Sequence, residues 1–518
     1  MAEIVLFRPK SDRAVISGSY PLGVIYIATP LADKGFTVKI VDGEAYPDWR
    51  TEVENAIDSS TICAGVSVMT GGSIKSALDF SKAVKKIKQI PIVWGGIHPS
   101  FLPEQTIKND LVDIVVTGEG EKKFLDVVEC IRNHKSLDSV KGILFKRSGK
   151  INRSQPEDNL LDLNSLSTPR FDLVDVNYYA SHKRPYFQSK QRGLDLNVDR
   201  GCPNRCAFCY NLRFNKRRWR SMTSEKILNM IEALTKKYSV NAITFVSDNF
   251  FANKKRVHEI CKGLIDRKIE IEWHTDIRAD TFLSYEDDLI ELIKRSGCVS
   301  MTFGIESGSD RILKMINKDI RNETVINAHE KAKRFDFKIN YHFMVGFPEE
   351  TKNDIKETMK LIRILARDKQ SSINGPNIYV PYPGTPLYDR CIELGFIPPD
   401  RLEGWENYIW YKNSRLPWFS KNFKSYIEEI RWISAFSINA PISNNRAMRS
   451  LYNIRRQYCK LRFIGLVHGI RLFNLDTKLI RALTGFRRYV YLKYIHNTKT
   501  LSDSGTRESE KRTRGVKG

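Results

Sequence analysis

No run of eighteen or more apolar residues occurs anywhere in these 518 residues, which excludes a membrane-spanning helix of ordinary length. The first ten residues, Met1 to Lys10, lack the apolar core of a secretory signal, so a cytoplasmic protein is expected. Cysteine is sparse, and six of the nine (Cys63, Cys130, Cys261, Cys298, Cys391 and Cys459) stand singly, mostly in apolar runs, as buried reduced thiols do. That pattern excludes a disulfide framework. No second Cys or His pair is spaced to complete the four ligands of a structural zinc site. Acidic residues are outnumbered 60 to 84 by basic ones, for a net charge of +24. From Lys421 onward the counts are 6 and 21, so much of the excess lies in the last fifth of the chain.

The three remaining cysteines stand within eight residues of one another, in Asp199-Arg-Gly-Cys-Pro-Asn-Arg-Cys-Ala-Phe-Cys-Tyr-Asn211. Thiolates from Cys202, Cys206 and Cys209, on one corner of backbone, can each take one iron of a 4Fe-4S cubane. The fourth iron is then left open to a small molecule. Pro203 biases Cys202 toward an extended conformation, which suits a loop folding around a cluster.

A chain of this length is expected to form two to four domains. From Met1 to about Val140, five short apolar runs (Glu3–Phe7, Thr37–Val41, Ile62–Val68, Ile90–Trp94 and Ile114–Val116) alternate with stretches of helical periodicity. The expectation is a Rossmann-like, doubly wound α/β domain over 1–140, its ligand lying beyond the carboxyl ends of the strands. Small residues occupy three of those ends: Ser67 to Ser73, Gly95 to Ser100 and Thr117 to Glu121. Residues 141–193 read as a short hairpin followed by an ordered, aromatic-rich connector. Over 194–395 six further strand candidates (Leu194–Val198, Ala242–Val246, Ile271–Thr275, Val299–Gly304, Asn340–Val345 and Ile378–Val380) alternate with helices. They predict a partial, TIM-like (β/α)6 barrel with its site at the carboxyl ends of the strands. Residues 396–518 read as an aromatic lid (Trp405, Tyr408, Trp410, Tyr411, Trp418, Phe419) and a basic, α-helical C-terminal region with a disordered end. Arg462 to Phe473 in that region has the composition of a basic amphipathic helix, for which an anionic membrane surface, a solvated helical cap and, less favoured, nucleic acid stay open.

The cysteine spacing, with Phe208 before Cys209 and Tyr210 after it, resembles the radical S-adenosylmethionine (SAM) superfamily. Tyr20-Pro-Leu-Gly23, Trp94-Gly-Gly-Ile-His-Pro99 and Gly118-Glu-Gly-Glu121 resemble the cobalamin (B12)-binding domain that precedes many of its barrels. The resemblance runs from Glu3 to Gly395. It implies a 4Fe-4S cluster on Cys202, Cys206 and Cys209, SAM on the open iron, and cobalamin on the first domain. It further implies reductive cleavage of SAM to a 5'-deoxyadenosyl radical that modifies an unactivated carbon, most often by methyl transfer. Radical cyclisation, ring rearrangement or C–C coupling on a lipid or tetrapyrrole-like substrate is the alternative, and a non-catalytic cobalamin or redox sensor a third.

By the same resemblance Phe208, Asp248, Asn249, Arg278 and Glu306 contact SAM, with the fork of Arg278 on its carboxylate and Glu306 on its ribose. Ser67, Thr70, Gly95 and Gly96 line the cobalamin tail. Tyr379, Tyr382 and His274, with Trp273, are candidates at the barrel mouth. The segment Arg8 to Arg13 lacks the histidine that ligates cobalt in other cobalamin domains, so cobalamin would be held without that ligand. An external one-electron donor such as ferredoxin or flavodoxin and a small-molecule, lipid-like or planar hydrophobic substrate complete the expected partners, with peripheral contact at the inner membrane face through the basic C-terminal region.

Overall fold

The computed structural model describes residues 2–11, 19–157, 159–184, 186–187, 191–409 and 416–438. It divides the chain into Met1–Lys424 and Ser425–Gly518. Of the second unit only 425–438, part of the helix Lys421–Ile438, is described. The expected basic amphipathic helix and terminal tail, and Trp410 and Tyr411, lie outside the described residues. No described helix is long and apolar enough to cross a membrane.

In the first unit, apolar runs such as Ile4-Val-Leu-Phe7 become strands because both of their faces are covered; all four side chains are 3% exposed or less. The first sheet comprises β1 (Ile4–Arg8), β2 (Val38–Asp42), β3 (Cys63–Ser67), β4 (Ile92–Gly95), β5 (Ile114–Val116), β6 (Ile143–Arg147) and β7 (Lys150–Arg153), in the order β2-β1-β3-β4-β5-β6-β7. Strands β1 to β5 pair in parallel. The order reverses at β1, which has β2 on one side and β3 on the other, so the crevice at their carboxyl ends is the place such sheets offer a ligand. The hairpin expected in the connector is β6–β7, and it adds antiparallel to β5 as the edge of this sheet. In the described part of the connector beyond it, Phe171 and Tyr179 are buried and the Tyr179 hydroxyl donates to Asp42 at 2.7 Å.

The second sheet comprises β8 (Gly193–Leu196), β11 (Ala242–Phe245), β12 (Glu272–Ile277), β13 (Cys298–Glu306), β14 (Lys338–Val345) and β15 (Ser371–Ile378), all parallel and in sequence order, with β8 and β15 at the edges. This is the topology of an open, partial barrel. A two-residue ribbon, β9 (Asp199–Arg200) with β10 (Arg220–Ser221), closes the base of the cysteine loop. The last strand runs through Ser371–Ile378, several residues before the expected Ile378–Val380. Its half-polar stretch Ser-Ser-Ile-Asn-Gly-Pro-Asn carries no apolar run, because it contributes one polar face to the barrel interior.

The carboxyl ends of the two sheets meet. Arg200 donates to Glu119 at 2.9 Å and also pairs with Glu121, while Arg220 pairs with Glu119 at 2.9 Å. These four side chains are 5 to 17% exposed. Nearby, Phe101 packs on Gly384 of the Pro-Gly-Thr-Pro turn, where a β-carbon would strike its ring and φ is +78°. Replacing Glu119 with Ala leaves two largely buried guanidiniums short of a partner and is expected to cost about 3–5 kcal/mol. Denaturant unfolding of the full chain measures it, and a loss below about 1 kcal/mol, the ceiling for an exposed pair, would mean that the contact is a solvated surface bridge.

Candidate active site where two sheets meet

The cysteine loop hangs from the β9–β10 ribbon and is fixed from several directions. Ala207 donates its amide to the Ile316 carbonyl at 2.8 Å and accepts from Leu387 at 2.9 Å. Asp248, just after β11, accepts from the Gly201 amide and the Tyr210 hydroxyl, both at 2.7 Å. Its carboxylate therefore braces the loop. Asp199, fully buried, accepts from Arg256 at 2.9 Å and from the Asn249 amide at 3.3 Å.

The sulfurs face donors and cations. Asn204 and Asn249 direct side-chain amides at Cys202 Sγ, at 3.2 and 3.5 Å, and Arg278 Nη1 lies 3.6 Å from Cys206 Sγ. Burial pushes the Cys209 thiol up to about 12 and raises Cys206 as well, Lys318 and Arg278 opposing the latter. Thiols so placed ionise when a positively charged centre binds them. Among the described residues no three His, Cys, Asp or Glu side chains are gathered for one metal ion. A cubane instead takes one thiolate per iron, so its ligands stand further apart, and this donor set fits it.

Glu306 ends β13 with φ +71° at a break in register against β14, and accepts from Lys318 Nζ at 2.9 Å. Lys318 also lies 5.8 Å from the Phe208 ring, so Cys206, Phe208, Glu306 and Lys318 converge. Arg278 is there too, but both arms of its fork are on Asp280, at 2.9 and 3.0 Å, and it donates to the Lys318 carbonyl at 2.6 Å. The expected pairing of that fork with the SAM carboxylate is not preformed; Nη1 alone points toward the cysteines.

Below this end the strands alternate with period two. Met301, Phe303 and Ile305 on β13 and Ile339, Tyr341, Phe343 and Val345 on β14 are buried. The opposite face carries His274, Asp276, Ser300, Thr302, Asn340, His342 and, on β15, Asn374. Asp276 is 70% exposed although His342, Glu306 and Lys318 act on it, and surrounding protein raises its carboxyl pKa. Both facts hold for a side chain facing a water-accessible chamber inside the barrel.

His274 belongs to the wall of that chamber. Its Nδ1 lies 2.7 Å from Ser300 Oγ, its Nε2 3.1 Å from Thr302 Oγ1, and Tyr186 stacks on it at 3.6 Å. Trp273 and Tyr379 are core residues instead. Trp273 is fully buried with its indole on the Ser296 carbonyl, and Tyr379, 2% exposed, sits against Phe347 with its hydroxyl near Cys391. Tyr382 is half-buried and its carbonyl accepts from Thr385.

At the facing end of the first sheet, Ser67, Thr70, Gly95 and Gly96 are half-buried together. Gly96 has φ +99°, and a β-carbon there would lie 2.8 Å from both Val68 N and O. Met69 is 50% exposed beside it. Thr70 Oγ1 meets His98 Nδ1 at 3.0 Å, and His98 Nε2 is buried without a partner. An exposed apolar side chain, a glycine-only approach and an orphaned ring nitrogen at one sheet end fit a large cofactor. Residues 12–18, which include part of the expected lower-face loop, lie outside the described residues.

The aromatic stretch is divided between the sheets. Trp405, fully buried, bonds Gln105 at 2.8 Å and meets His98 edge-on, with Tyr388 also against it, while Trp418 and Phe419 pack at Gly346 at the end of a barrel strand. Glu119, Glu121, Asp276 and Lys318 escaped sequence reasoning as site residues. The Gly118-Glu-Gly-Glu motif flagged the first two, but as a small-residue tip, and nothing local marks the others.

Comparison with known proteins supplies the context for this geometry. Residues 196–362 match the family model described as the radical SAM superfamily, and 16–128 that of the B12 binding domain. An uncharacterized methyltransferase of Pyrococcus horikoshii is 30% identical over 398 residues, 75% of this chain and 83% of that one. The anaerobic magnesium-protoporphyrin IX monomethyl ester cyclase of Rubrivivax gelatinosus is 27% identical over 74% of this chain and 68% of its own. In fold, the cobalamin-dependent SAM radical enzyme OxsB, with aqua-cobalamin and SAM bound, superposes with a TM-score of 0.69 at 17% identity, over 100% of this chain and 82% of that one. The radical SAM methyltransferase TsrM of Kitasatospora setae does so at 0.64 and 13% identity, over 90% and 99%.

Replacing Cys202, Cys206 and Cys209 together with Ala is expected to reduce iron content and the broad visible absorbance of anaerobically reconstituted protein to background; retained iron sinks the cluster assignment. Burial also lowers His98 from its usual 6.5 to about 4 and His274 to about 3. The unfolded chain binds those protons first, so stability is full above pH 6.5 and falls as pH drops from there toward those folded values. Unfolding midpoints across that window should fall with acid, and less steeply in His98→Asn or His274→Asn; an unchanged slope in both removes these two histidines as the cause.

Proposed function

The chain belongs to the radical SAM superfamily, in the branch with an N-terminal B12-binding domain, and on that footing we propose that this enzyme methylates an unactivated carbon of a small molecule. The observation that carries the reading is the pair Glu119–Arg200. It joins the carboxyl end of the first sheet to a residue two positions before Cys202, which supports a reading in which the two cofactors would lie near each other. In this reading 1–140 is the cobalamin domain, 141–193 the linker, 194–395 the barrel and 396–518 the C-terminal region.

Cys202, Cys206 and Cys209 would hold the cluster, Phe208, Asn249, Glu306 and Lys318 would line the SAM site, and Ser67, Thr70, Gly95 and Gly96 the cobalamin site. When bound, the cluster and SAM supply a hydrogen-abstracting radical and cobalamin supplies the methyl group. The chain's own residues orient and exclude. Asp248 and Tyr210 set the cysteine loop, Lys318 holds the Glu306 carboxylate at a fixed point, and the clasp of Glu119, Glu121, Arg200 and Arg220 ties the loop to the first sheet. In this reading no side chain need act as nucleophile.

The polar lumen, with Asp276 exposed and His342 half-buried on it, supports a hydrogen-bonding substrate over a lipid-like or planar hydrophobic one. A one-electron donor is required for SAM cleavage. Among the described residues no helix is long and apolar enough to cross a membrane, and membrane contact through the basic C-terminal region rests on residues outside those described. Cyclisation without methyl transfer is the second reading, favoured by the likeness to the cyclase.

Product analysis separates them. With reductant, cobalamin and substrate, a methyltransferase forms both 5'-deoxyadenosine and S-adenosylhomocysteine; a cyclase forms the first without the second, and a sensor neither. Failure of the purified chain to take up cobalamin under anaerobic conditions would end the methyl-transfer reading and leave the radical one standing.

A further inference from the structure

The chamber inside the barrel has a floor that comes from outside it. Arg184 of the connector donates to the Gly193 carbonyl at 3.1 Å and pairs with Asp195 of β8, which tucks the connector against the amino end of the barrel. Two residues on, the Tyr186 ring stacks on His274, 3.6 Å away and 4° from parallel, with its hydroxyl facing Thr302. Above that floor, strand register aligns Asp276 with Thr302 and Asn340 and, two residues further toward the cysteines, Gly304 with His342 and Asn374.

The cations on these walls are already engaged. Lys318 Nζ is on Glu306 at 2.9 Å, and both arms of the Arg278 fork are on Asp280. His274 Nδ1 lies 3.1 Å from the Ser300 carbonyl, which can only accept, so Nδ1 carries the proton and Nε2 accepts from the Thr302 hydroxyl. Burial keeps that ring neutral. Asn374 presents Nδ2 to His342 Nε2 at 3.1 Å, which leaves its oxygen as an acceptor. Asp276 stands apart. Among the described residues it pairs with no lysine or arginine, and the group within ion-pair distance of it is the neutral His274, at 4.0 Å. Burial raises its carboxyl pKa, Glu306 adding to the effect and His342 and Lys318 opposing it, although the side chain is open to the chamber. The surroundings thus disfavour a charge to which no cation is paired.

We propose that Asp276 anchors a protonated amino group of the substrate, with the Thr302 and Asn374 oxygens as further acceptors and Tyr186 setting the depth to which the substrate enters. An ammonium brings three donors to a wall of acceptors, and the positive charge that no residue there gives to Asp276. A neutral hydroxyl would satisfy one acceptor and leave the carboxylate uncompensated, and an anionic group would be repelled. The proposal rests on the barrel being the substrate chamber of a radical SAM enzyme, and on neither methyl transfer nor cobalamin.

The test titrates three probes of matched shape, benzylamine, benzyl alcohol and benzoate, into the full, anaerobically reconstituted chain with SAM present, and reads binding by ligand-observed NMR. Benzylamine is expected to bind the wild type more tightly than the other two. Its affinity should fall by about tenfold or more in Asp276→Asn, the loss of one charged hydrogen bond, and recover in part in Asp276→Glu, which keeps the charge. Equal benzylamine binding by wild type and Asp276→Asn, benzyl alcohol binding as tightly as benzylamine, or no benzylamine binding at all overturns the amine site. A matching fall in SAM affinity in Asp276→Asn also overturns it, by giving the carboxylate to the SAM sulfonium. Should Asp276→Asn not fold, the ranking of the three probes on the wild type decides alone. Failure of the radical SAM reading itself shows separately, as absence of 5'-deoxyadenosine from the reduced wild type, whatever the probes do.

Discussion

Two arginines and two glutamates hold the working parts of this protein in register. Arg200 and Arg220 are the adjacent members of the β9–β10 ribbon from which the cysteine loop hangs, and Glu119 and Glu121 follow the last parallel strand of the first sheet. Burial removes most of the water that would solvate these charges, so each depends on the others being present. The position of the cysteines relative to the first sheet is therefore set by ion pairs at the root of their own loop, a short lever with little room for error.

The same economy of distance holds inside the barrel. Glu306, Lys318 and Arg278 come from three separate chain segments, yet Cys206 lies within reach of all three electrostatically. Lys318 is held by Glu306, and Arg278 by Asp280 and the Lys318 carbonyl. Cations near these cysteines are thus neutralised locally and oriented before any ligand arrives, the arrangement in which fixed dipoles and charges need not reorganise.

What could be read from the chain follows from where its information is local. Apolar runs such as Ile4–Phe7 and the Cys202, Cys206, Cys209 spacing each lie within a few residues, and the strands and the thiol cluster were legible in them. The last strand was misplaced because Ser371 to Asn377 has no apolar run, only a lumen face. The β6–β7 hairpin was seen, but its partner β5 was not, since pairing across more than two dozen residues leaves no mark in either segment. The bracing role of Asp248, the capture of the Arg278 fork by Asp280, and the core positions of Trp273 and Tyr379 depend on register and rotamer, which a strand-end rule does not carry. The aromatic stretch read as a lid, and nothing in it announced that Gln105 and His98 would receive Trp405.

The period-two division of the barrel strands separates two duties. Apolar residues between sheet and helices supply the stabilising burial, of the order of 1.5–3 kcal/mol for each large side chain. Ser300, Thr302, Asn340 and Asn374, on the other face, contribute little of it. A change at those positions reshapes the chamber without drawing on the core, so such a scaffold can drift toward new substrates by substitutions that folding scarcely registers.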